Sequence, residues 1–213
     1  MRPRCTIRKL EVAPMREGEV IQMIDDKSDV EIRIASLTDV ARITEIYNQA
    51  IVHTVATFDT EPKEAHAMEP WFNRHGDSYP VFVASVDQDE YGSPVTDNQD
   101  ALDYVVGWAS LSRWSDRSAY DRTAEVSLYI DESFQSRGIG RMLFKQLLDA
   151  APRVGLHTLI SRIAGENEVS IHLHRKFGFD HIGTMREVGF KFGRLLDVHL
   201  YQLILPDSQT AGR

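Results

Sequence analysis

Residues 135–141 read Gln-Ser-Arg-Gly-Ile-Gly-Arg, a pattern suited to holding an anion. Gly138 and Gly140 permit the positive-φ backbone that turns successive N–H groups toward one point. The amphipathic stretch from Ile139 to about Ala151 reads as a helix. Its N-terminus adds unsatisfied N–H donors and about half a positive charge. Arg137 and Arg141 supply charge beside those donors. The whole is a cradle for a diphosphate. It lacks the Gly-Lys-Ser/Thr ending of a P-loop and the third glycine of a dinucleotide-binding turn.

A strand-like run, Glu125 to Ile130, precedes this loop. Alternation puts Glu125, Ser127 and Tyr129 on one face and Val126, Leu128 and Ile130 on the other. The first face is polar and suits the wall of a cleft. His172 and His174 are two residues apart, so they do not form a helical metal pair, which needs a spacing of three or four. No other metal-ligand spacing is present, and no metal is expected.

The elements that must position these residues follow from periodicity. A short strand, Glu31 to Ala35, leads into a helix from about Asp39 to Ala50, with Ser36 and Thr38 as candidate N-caps. Val40, Ile43, Ile46, Tyr47 and Ala50 form its apolar stripe. A loop over 52–62 carries Phe58, and a second helix spans roughly Lys63 to Arg74. Strands are expected at Val81–Val86, Tyr104–Ser112, Leu156–Ile163, Asp180–Val188 and Asp197–Ile204, with a short helix at Val169–Phe177. This order predicts an α/β fold with a mixed sheet and helices on its faces. One domain is expected over 31–206, with an N-terminal extension at 1–30, an inserted loop at 87–103 and a tail at 207–213.

Composition narrows the function. The chain has 213 residues and a net charge of −8, which disfavours a general nucleic-acid binder. No apolar run reaches the ~20 residues of a membrane span, and the basic N-terminus has no apolar core behind it, so no secretory signal is expected. The single cysteine, Cys5, excludes an intrachain disulfide and fits a cytoplasmic protein.

With the loop placed between that strand and that helix, the sequence resembles the GNAT superfamily of N-acetyltransferases. The segments 46–62 (IYNQAIVHTVATFDTEP), 119–130 (AYDRTAEVSLYI), 166–179 (ENEVSIHLHRKFGF) and 186–198 (REVGFKFGRLLDV) resemble its phosphinothricin N-acetyltransferase branch. The likeness runs from about Glu31 to Ile204. It implies a mostly antiparallel central sheet, splayed at strands 4 and 5, with helices on both faces.

The resemblance also implies roles. Leu128, Tyr129 and Ile130 would hold the pantetheine arm of acetyl-CoA near its thioester, with backbone N–H groups near Tyr129 and Ile130 facing the oxyanion. Gln135, Ser136, Arg137, Gly138, Ile139, Gly140 and Arg141 would hold the pyrophosphate, and Asn167 and Ser170 would make further coenzyme contacts. Glu125 is the candidate base, and His174 a second base or the thiolate's acid. Phe58, Arg117 and Tyr120 would meet the acceptor. The branch often carries a second basic residue two positions before that arginine, where this chain has Ser115, which weakens the case for a strongly anionic acceptor.

The implied activity is transfer of acetyl from acetyl-CoA to the α-amine of a small amino acid, such as phosphinothricin, methionine sulfone or methionine sulfoximine, within a ternary complex of a homodimer. Cys5 lies outside the domain and offers no acyl carrier. The rivals are another amine acceptor (a polyamine, an antibiotic or a protein N-terminus) and a non-catalytic acyl-CoA sensor.

Overall fold

The computed structural model describes residues 30–87 and 103–206. The expected tail, and nearly all of the extension and of the inserted loop, lie outside the described residues. The chain forms β1 (Val30–Ile34), α1 (Val40–His53), α2 (Ala65–Asn73), β2 (Val81–Asp87), β3 (Asp103–Arg113), β4 (Thr123–Ile130), α3 (Ile139–Ala150), β5 (Thr158–Ala164), α4 (Glu168–Lys176), β6 (Asp180–Lys191) and β7 (Arg194–Ile204). This is the order that periodicity predicts, with ends displaced by a few residues. The early helix is the clearest shift. Ser36 caps a short 3-10 turn, Leu37–Asp39, and Asp39 in turn N-caps α1.

The seven strands form one sheet in the order β1-β2-β3-β4-β5-β7-β6. Every pairing is antiparallel except β4 with β5. Helices cover both faces. On one, Leu143, Phe144 and Leu147 of α3 and Ile171 of α4 pack on Phe82, Ala84, Ala109, Leu111 and Leu159. On the other, Ile43 and Ile46 of α1 pack on Val81, Val83, Val105 and Trp108, joined by Trp71 and Phe72 of α2. Val105 and Trp108 share a face although their spacing is odd. A bulge at Val106 opposes two β3 residues to one in β2 and inverts the alternation there.

The feature that shapes the site is the β4–β5 junction. The two strands pair only at Thr123↔Thr158, Ala124↔Leu159 and Glu125↔Ile160. Beyond Glu125, β4 stays with β3 as far as Ile130, while β5 follows β7 along its whole length. The sheet therefore opens as a wedge between strands 4 and 5, as the resemblance implies.

Candidate active site

The wedge leaves backbone groups without a strand partner. Trp114 N–H bonds Thr123 O, and Asp131 N–H bonds Val106 O. In the β3–β4 ladder these are hydrogen-bonded pairs, so the odd-numbered residues of β4 direct N–H and C=O toward β3. The even-numbered ones face the other way. Val126, Leu128 and Ile130 thus present their backbone groups to the wedge. This corrects one expectation: the Tyr129 N–H belongs to the β3 ladder, and the available donors are on either side of it.

The anion loop follows β4 directly. Ser136 and Gly138 both take positive φ, 62° and 85°. At Gly138 the left-handed conformation forms the N-cap of α3, where any side chain would be strained. Arg141 and Met142 N–H both bond Gly138 O. The N–H groups of Ile139 and Gly140 are left for a ligand by helix geometry, while the Ile139 side chain is buried in the core. Arg137 lies back over Phe134, 4.8 Å from the ring centroid, and donates to Ser133 O. Gln135 reaches Ile130 O at 3.4 Å.

A buried carboxylate anchors this loop. Asp131 accepts from Arg42 (2.5 Å) and Gln49 (2.9 Å) of α1 and from Ser133 N–H (2.8 Å). Burial alone would raise its carboxyl. The bonds from Gln49, Ser133 and Arg42 outweigh that effect and hold it below the usual range.

A cleft of about 580 Å³ lies along the wedge. Glu125, Ser127, Leu128, Tyr129, Asn167, Ser170, His174 and Phe58 all line it. These are residues from β4, α4 and the loop before α2: the two catalytic candidates, Phe58 and four of the coenzyme candidates share the cleft, whereas Ile130 and residues 135–141 are not in its lining. Arg117 and Tyr120 do not line it. They sit in the β3–β4 connection, where Arg117 caps a short 3-10 turn, Ser118–Tyr120, and Tyr120 is exposed. That turn precedes β4 and is closed by Tyr120 N–H on Arg117 O and Asp121 N–H on Ser118 O. A second cavity of about 560 Å³ runs along residues 59–67; it contains none of the expected site residues and shares Asp59 with the cleft.

His174 is 4% exposed and packs against Phe144, Phe179 and Tyr201. Its Nδ1 lies 2.8 Å from Ser170 O. A carbonyl only accepts, so Nδ1 carries the proton and Nε2 keeps a lone pair. No protein group reaches that buried Nε2 among the described residues. Burial drives the imidazole pKa down to about 4. His174 is therefore a neutral ring near pH 7 whose Nε2 is an acceptor atom. Asn167 N-caps α4, its Oδ1 accepting from Ser170 N–H at 3.1 Å.

Three features were not foreseen. Arg162 of β5 pairs with Glu125 through two bonds, 2.6 and 2.7 Å. Its signal was a lone charge in the otherwise uncharged Thr158–Ala164 strand. Tyr47 bonds Thr57 (2.7 Å) and Asp59 (2.8 Å), and burial with the nearby Asp59 pushes its phenol up to about 12. Buried Lys191 at the end of β6 donates to Thr57 O at 2.8 Å, fixing the loop that carries Phe58.

Comparison with known proteins agrees with this geometry. The profile of the acetyltransferase (GNAT) family matches residues 43–179. The chain is 36% identical over 177 residues to an L-methionine sulfoximine/L-methionine sulfone acetyltransferase of Salmonella typhimurium, covering 83% of this chain and 95% of that one. It is 34% identical over 175 residues to a phosphinothricin N-acetyltransferase of Streptomyces coelicolor, covering 82% and 96%. Among solved structures, a GNAT phosphinothricin acetyltransferase from Sinorhizobium meliloti in complex with AcCoA superimposes with a TM-score of 0.73 at 32% identity, over 87% of this chain and 93% of that one. With its splayed sheet and its glycine loop at the head of α3, the chain belongs to the GNAT acetyltransferase family.

Proposed function

We propose that this enzyme transfers the acetyl group of acetyl-CoA to the α-amine of a small amino acid of the methionine sulfone, methionine sulfoximine or phosphinothricin type. The observation that carries the reading is the wedge, with unpaired β4 backbone leading into an anion loop. Residues 136–141 are suited to the pyrophosphate, and the groups of Leu128 and Ile130 to the amides of the pantetheine arm. Bound acetyl-CoA supplies the thioester carbonyl that is attacked.

The chain's own residues provide the rest. The acceptor ammonium must lose a proton before its nitrogen can attack. Glu125, on the cleft wall, takes that proton directly or through water. The amine nitrogen then forms the C–N bond as the C–S bond breaks. Its second departing proton ends on the thiol. Val126 and Leu128 N–H groups face the charge that develops on the carbonyl oxygen. Neutral His174, with its proton on Nδ1, forms part of the cleft lining. Phe58 and Tyr129 offer the acceptor an apolar wall.

The proposal extends to the chain as a whole. The domain spans 31–206, and the enzyme works in the cytoplasm as a homodimer. The exposed apolar residues of the β6–β7 hairpin support self-association.

Thiol release from acetyl-CoA across a panel of amino acids, polyamines and peptides tests the function. The expected result is turnover with methionine sulfone or a similar amino acid. Turnover only with polyamines or peptide N-termini would replace the acceptor class. Cofactor binding with no turnover on any amine would leave a sensor.

A further inference from the structure

We infer that Arg162 binds the α-carboxylate of the acceptor, and that the acceptor enters by displacing the Arg162–Glu125 ion pair. The inference rests on the amino-acid acceptor proposed above.

The position is specific. Glu125↔Ile160 is the last pair of the β4–β5 ladder. Arg162 lies two residues further along β5 and so on the same face as Ile160, where the strands have begun to separate. Its guanidinium spans the mouth of the wedge to reach Glu125, with Nε and a terminal nitrogen on the two carboxylate oxygens. Both residues line the cleft. The pair thus lies beside Val126, the first residue whose backbone faces the wedge.

The chemistry of the pair mirrors that of an amino acid. Guanidinium forks bind carboxylates through two parallel hydrogen bonds. An α-amino acid carries an ammonium and a carboxylate one carbon apart. Inserted between the two side chains, it offers each a partner of the correct sign. Its carboxylate replaces Glu125 on Arg162, and its ammonium approaches the released Glu125, which must accept its proton. Arg162 is 54% exposed but Glu125 only 19%, so Glu125 needs a new cation as it loses the guanidinium, and an incoming amino acid meets both needs at once. A purely structural clamp across the wedge would also use this pair, but it would have no preference for the acceptor's carboxylate. Among the residues lining the cleft, Arg162 is the sole arginine or lysine.

The test compares the amino acid that the enzyme acetylates best with its carboxamide, which keeps the amine and side chain but loses the charge. The wild-type enzyme should prefer the acid. Arg162→Gln should cut the acid-to-amide ratio of kcat/KM by tenfold or more, chiefly through KM for the acid, with KM for acetyl-CoA unchanged. Arg162→Lys, which keeps the charge without the fork, should fall between them and also covers the case that the glutamine variant does not fold. Thermal melting identifies a folding failure. An unchanged ratio in both folded variants would overturn the inference, whether or not both activities fall together. A wild-type enzyme that acetylates other amines but no amino acid fails at the earlier step, and that outcome is visible before any variant is made.

Discussion

His174 is held neutral by what surrounds it, and that has a consequence for stability. Its pKa falls from the ordinary 6.5 to about 4 because burial among aromatic rings disfavours the cation. The unfolded chain therefore binds a proton between pH 6.5 and 4 that the folded chain refuses. Stability falls as pH drops through that window, by about 3 kcal/mol for a shift of this size. His75, also lowered by burial, adds in the same direction. The depressed carboxyls Asp39, Asp59 and Asp131 begin to act in the same direction only below about pH 5, at the acid end of the window. His174→Phe should flatten the pH dependence of chemical denaturation between 6.5 and 4, and an equal slope in both proteins would show that the imidazole titrates normally. Glu125 makes a different prediction. Glu125→Gln should lower kcat by about a hundredfold or more with coenzyme affinity unchanged, measured by steady-state kinetics and calorimetry. Equal turnover would remove Glu125 from the proton path. At this scale the sequence exposes single residues better than their partners. The glycine loop is a local signal that needs only a few consecutive residues. The Arg162–Glu125 pair joins residues 37 apart, and Lys191–Thr57 joins residues 134 apart, so neither is visible before the sheet is assembled.

The elements were legible because each carries its own period. The stripe of α1 and the alternation of β4 follow from burial of one face. What period cannot show is where a ladder stops. Nothing in Val126 to Ile130 announces that β5 leaves after Glu125, because both strands remain apolar enough to pair. The placement of Phe58 is another feature of assembly. Gly189 lies on β6 just past an irregular register at Met185/Gly189, and the Phe58 ring rests on its bare Cα. A Cβ there would overlap the ring. The ring is partly exposed and can swing away, so Gly189→Ala should cost little stability, less than about 1 kcal/mol. It should raise KM for the acceptor several-fold, while KM for acetyl-CoA holds. Phe58→Ala should do the same, and the double variant should be no worse than either alone. Additive losses would mean that the two positions act independently and that the β6 contact does not position Phe58.

At the scale of the whole molecule, β6 closes one edge of the sheet, and an exposed edge invites pairing. The β6–β7 hairpin also carries apolar residues into solvent. Phe190 and Leu195 are directly opposite in register and are 67% and 56% exposed. Phe192 occupies the turn at φ 52°, a conformation that bulky residues rarely adopt, and is itself exposed. In the proposed homodimer, a second copy of the same hairpin would cover this patch under two-fold symmetry. The chain carries a net charge of −8, so association must overcome repulsion between copies. Apolar contact at this hairpin is the available source. Light scattering should give twice the chain mass for the wild-type protein, and Phe190→Glu with Leu195→Glu should give a folded monomer. Lys191 links this hairpin to the loop bearing Phe58, so the monomer should also bind its acceptor more weakly while its KM for acetyl-CoA is kept. A double variant with the wild-type mass would move the interface elsewhere on the surface.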